Sequence, residues 1–122
     1  MKRLIITNGK IILPDRLTED GTIICEQGKI AAITEKTDTF LKEESVETEI
    51  IDAKGNYVSP GFIDIHTHGA GGFDFMDGTV EAYLGAAETH AKYGTTALLP
   101  TTLAGSFEEL MKTFSVYQTA KQ

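Results

Sequence analysis

Apolar and polar positions alternate in short runs through the first half of the chain and recur at helical spacing through the second. Residues 4–13, Leu-Ile-Ile-Thr-Asn-Gly-Lys-Ile-Ile-Leu, set two apolar runs around Asn8-Gly9. Both of these residues tolerate positive φ, so the pattern predicts a hairpin turning there. Thr22 to Cys25 and Ile30 to Thr34, joined by Glu26-Gln27-Gly28-Lys29, predict a second hairpin. Glu49 to Asp52 and Asn56 to Val58 read as two further short strands around Ala53-Lys54-Gly55. Between Lys36 and Glu49 the chain is polar, acidic and aperiodic, which predicts a solvated connection with at most one helical turn.

These runs describe a small, mostly antiparallel, β-sandwich-like module over residues 1–59, with a supporting role. It holds no histidine and no carboxylate cluster. Ser59-Pro60-Gly61 marks its end, because proline cannot donate to a ladder and glycine frees the backbone to change direction. From residue 60 to 122 the pattern changes to α/β. Phe62 to His66 is a short strand candidate. Val80, Tyr83, Leu84, Ala87 and Ala91 then share one helical face, with Thr79 as N-cap and Gly94 as the stop. Thr95 to Thr102 predicts a second strand, and Ser106-Phe-Glu-Glu109 is a capping box ahead of Phe107, Leu110, Met111 and Phe114.

Strands alternating with amphipathic helices predict a parallel sheet, either an open doubly wound sheet or a (β/α)₈ TIM barrel. A complete barrel takes about 250 residues, so the stretch from Gly61 to Gln122 holds about two of its eight units. Two strands and two helices leave open edges and bare apolar surface, so the sheet is expected to be completed by further polypeptide.

Composition narrows the function. A formal net charge of −7 disfavours nucleic acid and acidic membrane surfaces, both of which call for excess Lys and Arg. The apolar runs are far shorter than a spanning helix, and Asn8-Gly9-Lys10 interrupts the N-terminal run before it reaches signal-peptide length. Cys25 is the only cysteine, which predicts a reducing, cytoplasmic setting and a buried packing role for its thiol.

The chemistry concentrates in Asp64-Ile-His66-Thr-His68, at the end of the first strand after Pro60-Gly61. Residues two apart in a strand share a face, so His66 and His68 can turn two imidazoles toward one divalent metal, with Asp64 behind them on that face. Asp64 is then a candidate to orient a ligand or to serve packing. His-x-His alone is a weak pattern, and two ordinary histidines in a turn would read the same; the place at a strand's carboxyl end favours a metal. His90, within the first helix, is expected to be structural or on the surface. The glycine-rich stretch Gly69 to Gly78 lacks the Lys-Ser/Thr ending of a phosphate-binding P-loop, and reads either as a flexible connection or as a strand-end loop that lets backbone come close to a ligand.

Ser59-Pro-Gly-Phe-Ile-Asp-Ile-His-Thr-His68 resembles the Pro-Gly-x-x-Asp-x-His-x-His entry to the barrel of the amidohydrolase superfamily. The continuation to Asp77, and then Gly94-Thr-Thr-Ala-Leu-Leu-Pro-Thr-Thr-Leu103, is similar to N-acetylglucosamine-6-phosphate deacetylases. The resemblance implies a TIM barrel after the β module, and a divalent metal, zinc or iron, that activates water and polarises the acetamide carbonyl. It implies an amino-sugar phosphate substrate and a homodimeric full-length protein. His66 and His68 match the first two ligands of members that bind two metals. The glutamate, further histidines and aspartate that complete the site lie on later strands in the family, so the present chain is expected to be an N-terminal fragment, inactive alone. Another amidohydrolase of aminoacylase or deaminase type, or a non-catalytic module that completes its sheet by association, are the rival expectations.

Overall fold

The structure, a computed structural model, describes residues 2–35 and 46–121. The chain divides into two compact units, Met1–Pro60 and Gly61–Gln122. The solvated connection expected from Lys36 falls largely outside the described residues.

The first unit is one five-stranded mixed sheet built from β1 (Lys2–Ile12), β2 (Leu17–Glu26), β3 (Lys29–Thr34), β4 (Glu47–Asp52) and β5 (Tyr57–Val58). The order is β3-β2-β1-β4, and β5 also pairs with β1. β1–β2 and β2–β3 are antiparallel, whereas β4 and β5 run parallel to β1. The mostly antiparallel, sandwich-like module expected from the sequence is thus a single mixed sheet among the described residues. Parallel pairing needs a long crossover, and the stretch between β3 and β4 is long enough to return the chain in the same direction. Ile5, Ile11, Ile23 and Ile24 of β1 and β2 form its buried apolar residues.

The expected hairpin at Asn8-Gly9 is not formed. β1 runs straight through these residues and carries an irregularity there: Ile6 pairs with Ile23 and Gly9 with Gly21, one residue too many on β1. Asn8 takes φ 60, so the positive-φ signal marks a bulge and not a turn. Gly9 is needed for close approach, since a Cβ there would lie 2.7 Å from Val58 Cγ2 of β5. The reversal comes at Leu13 to Arg16, where the Leu13 amide donates to the Arg16 carbonyl at 2.9 Å. The second hairpin forms as expected, with Gln27 (φ 53) and Gly28 (φ 73) giving the two positive φ values of a two-residue turn. Cys25 is half-buried on β2, less enclosed than expected.

The second unit contains β6 (Phe62–Thr67), a short hairpin of β7 (Gly69–Ala70) and β8 (Phe73–Asp74), a 3₁₀ turn (Phe75–Asp77), α1 (Val80–Lys92), β9 (Thr95–Pro100) and α2 (Phe107–Ala120). β6 and β9 are parallel neighbours, so β6-α1-β9 is a βαβ unit followed by a further helix. Phe75, Tyr83 and Ala86 form its buried core, with Leu98, Val116 and Ala120 packed against them. The ring centroids of Phe75 and Tyr83 stand 4.8 Å apart. The buried face of α1 differs from the expected one: Ala82, Tyr83 and Ala86 are buried, whereas Leu84 is 54% exposed. Small residues let the helix settle on its neighbours, and the Phe73 ring occupies the space a side chain at Gly85 would need.

Both helices start at the expected caps. Thr79 Oγ1 accepts from the Ala82 amide at 3.1 Å. Ser106 Oγ accepts from the Glu109 amide at 3.2 Å, while Glu109 Oε2 accepts from the Ser106 amide at 2.8 Å. Those bonds, the backbone one first and then the Ser106 hydroxyl, hold the Glu109 carboxyl below its ordinary range. A depressed folded-state pKa stabilises the fold above the ordinary glutamate value, and that stabilisation disappears as pH falls through the folded one. Ser106→Ala is expected to lower stability by about 0.5–2 kcal/mol and to flatten this acid limb, as read by denaturant melts across acidic pH.

Candidate metal centre

The carboxyl end of β6 is irregular in a way that decides where its side chains go. Asp64 pairs with Leu98 and Thr67 with Pro100, so β6 spends one residue more than β9 between these positions. Strict alternation would send Asp64 and Thr67 to opposite faces. Instead both reach His90 on α1: Thr67 Oγ1 lies 3.1 Å from His90 Nε2, and Asp64 Oδ2 lies 4.0 Å from His90 Nδ1. Asp64 therefore does not stand behind the two imidazoles as period-two reasoning expects, because the bulge resets the period. Its other oxygen, Oδ1, accepts from the His66 backbone amide at 3.1 Å.

His66 and His68 come together. Their ring centroids are 5.2 Å apart, edge to face at 74°. His66 is exposed, His68 half-buried, and Thr67 between them is buried on the side of α1. Four bonds fix this tripeptide in addition to the Thr67–His90 one. Besides the Asp64 bond to His66, Thr67 Oγ1 reaches the Gly69 carbonyl at 3.2 Å, the Thr67 carbonyl accepts from Thr101 at 2.8 Å, and the His68 carbonyl accepts from Phe75 at 2.9 Å. Among the described residues, His68 Nδ1 is buried without a hydrogen-bond partner.

The glycine-rich stretch is more ordered than a flexible loop. Gly69 pairs with Asp74 and Ala70 with Phe73, and a side chain at Gly69 would collide with the Phe73 carbonyl oxygen. Asp74 and Asp77 cap the 3₁₀ turn reciprocally, at 2.8 Å from the Met76 amide and 2.9 Å from the Asp74 amide. Their oxygens serve this turn. The Leu103 amide donates to Met76 Sδ at 3.1 Å, tying the segment after β9 to the segment after β6.

Among the described residues no group of three or more His, Cys, Asp or Glu is placed to hold a metal ion. The chain thus brings two imidazoles together at a strand's carboxyl end. His90 is 17% exposed at its side chain and belongs to the support of that strand end, which fits the structural role expected for it. Sequence order conceals this link, because Thr67 and His90 are far apart along the chain and joined only by the βα turn. No helix among the described residues is long and apolar enough to cross a membrane.

Comparison with known proteins agrees with this architecture. The model of the amidohydrolase family matches residues 49–108. An N-acetylglucosamine-6-phosphate deacetylase from Lysinibacillus sphaericus is 31% identical over 105 residues, covering 86% of this chain and 26% of the relative. A dihydroorotase from Aquifex aeolicus is 46% identical over 69 residues, covering 56% of this chain and 15% of that enzyme. Among solved structures, N-acetylglucosamine-6-phosphate deacetylase from Pasteurella multocida superposes with a TM-score of 0.82 at 28% identity, over 98% of this chain and 30% of that one. The chain spans about a quarter to a third of the length of these two deacetylases. Its residues 49–108 match the amidohydrolase family, and the chain is similar over nearly its whole length to part of an N-acetylglucosamine-6-phosphate deacetylase.

Proposed function

We propose that this chain is the N-terminal part of a metal-dependent deacetylase that converts N-acetylglucosamine 6-phosphate to glucosamine 6-phosphate and acetate. The observation that carries the proposal is the pair of adjacent imidazoles at the carboxyl end of β6, in a chain whose likeness to deacetylases spans both units. The likeness to the dihydroorotase covers little more than half of the chain. β6-α1-β9-α2 is the repeat from which a (β/α)₈ barrel is assembled, and strand ends of this kind carry the catalytic groups of such barrels.

Neutral imidazole suits zinc or iron, and the donor set fits such an ion in part. The unpartnered, buried His68 Nδ1 is an unmet polar demand of about 1–3 kcal/mol, as expected of a site whose complement of contacts includes a further group. His66 and His68 would hold the ion; its chemistry is to activate water and polarise the amide carbonyl. Asp64 keeps the His66 amide in place, and the hairpin after His68 fixes the exit of the chain. The remaining ligands and the general base come from polypeptide beyond this chain, so the 122-residue chain alone is expected to be inactive.

The test is acetate release. The full-length protein, given N-acetylglucosamine 6-phosphate with zinc or iron, is expected to release acetate, and the present chain is not. Turnover by the short chain would overturn the fragment reading. Ammonia release from an aminopurine, with no acetate from the sugar phosphate, would move the assignment to a deaminase.

A further inference from the structure

His90 is an enclosed imidazole outside the His66–His68 pair. It lies in the last turn of α1, outside the apolar core of Phe75, Tyr83 and Ala86, yet its side chain is largely enclosed. Both ring nitrogens face β6. Nε2 meets Thr67 Oγ1 at 3.1 Å and Nδ1 faces Asp64 Oδ2 at 4.0 Å. These two residues adjoin the imidazole pair along the chain. Thr67 is the middle residue of His66-Thr67-His68, and Asp64 holds the His66 amide.

The Thr67 hydroxyl gives its one proton to the Gly69 carbonyl, so His90 Nε2–H donates to Thr67 Oγ1 while Nδ1 stays beside the Asp64 carboxylate. The ring then bridges the two sides of the bulge, and the bulge is what separates Asp64 and Thr67 from the histidine face. We infer that His90 is a positioning residue: acting through Thr67 and Asp64, it sets the convergence of His66 and His68 and so the affinity of the pair for a divalent cation. The inference rests on the metal-site reading above. Removing His90 should leave the fold largely in place, because the Thr67 hydroxyl keeps the Gly69 carbonyl and the Thr67 carbonyl keeps the Thr101 amide. What is lost is the lateral tie.

The experiment uses the 122-residue chain with Co²⁺ as the probe, read by visible absorption, alongside the ring-to-ring nuclear Overhauser effect between His66 and His68 in the metal-free protein and the thermal midpoint of each variant. His90→Ala is expected to weaken Co²⁺ binding about tenfold, the scale set by groups that orient metal ligands, and to diminish the ring-to-ring signal. His90→Gln keeps a polar atom within reach of Thr67 and is expected to bind within about threefold of the parent, whatever its thermal midpoint. Thr67→Val should reproduce His90→Ala, and the two together should add little beyond either.

Unchanged Co²⁺ affinity and ring contact in His90→Ala, or loss in His90→Gln equal to that in His90→Ala, would overturn the positioning role. If the parent binds no Co²⁺ through His66 and His68, the metal reading fails by itself. The metal-free ring contact then still decides whether His90 sets their convergence.

Discussion

Phe75→Ala is expected to cost about 3–5 kcal/mol and to leave the Gly61–Gln122 unit largely unfolded at ambient temperature. Phe75 has no exposed surface, meets the Tyr83 ring at a tilt of 49° and belongs to the cluster against which Leu98, Val116 and Ala120 pack. It sits in a one-turn 3₁₀ segment between the glycine hairpin and α1, where it joins strand, turn and both helices. Domain stabilities are about 5–15 kcal/mol, so a loss of this size consumes most of what a small unit has. Urea titration followed by far-ultraviolet circular dichroism would measure it. Tyr93→Ala, at a position 81% exposed, is the matched control and should move stability by no more than about 0.5 kcal/mol. Equal effects of the two would mean that the core lies elsewhere.

Replacing His66 and His68 together by alanine is expected to abolish Co²⁺ or Zn²⁺ binding by the chain, and each single replacement to weaken it by at least about a hundredfold. The two rings stand together at this strand end, and no third ligand among the described residues compensates for the loss of either. His66 is exposed and its removal should leave the thermal midpoint nearly unchanged. His68 is half-buried with an unsatisfied Nδ1, so its removal also deletes an unfavourable desolvation and should not destabilise the metal-free protein greatly. Calorimetric titration decides the matter. Metal affinity that survives the double replacement would remove the basis of the metal-site reading.

Local chemistry made some elements readable from sequence. The capping box at Ser106 and Glu109 and the Gln27-Gly28 turn depend on neighbours a few residues away, and both occur as expected. The imidazole pair was readable because it needs only the two-residue period of a strand end. Asn8-Gly9 misled because positive φ serves turns and bulges alike; what separates them is whether another strand lies across the chain, and β5 does, close against Gly9. The reversal falls instead between Leu13 and Arg16. Asp64 was misplaced for a related reason, since one extra residue in β6 inverts the alternation and nothing in Asp64-Ile65-His66 announces it. His90 was readable as a structural residue but not as the partner of Thr67, because that contact depends on how α1 returns alongside β6.

The central place of β1 has a consequence for synthesis. The ribosome delivers Lys2–Ile12 before its partner strands, and β2 and β3 can zip onto one flank soon after they emerge. The other flank waits for Glu47–Asp52 and Tyr57–Val58, its parallel companions. In that interval the nascent polypeptide displays a row of unsatisfied amides and carbonyls beside isoleucines, an inviting template for a neighbouring chain on the same polysome. Maturation thus ends with a late, non-local closure, and a pause between these segments would be the moment of greatest exposure to self-association.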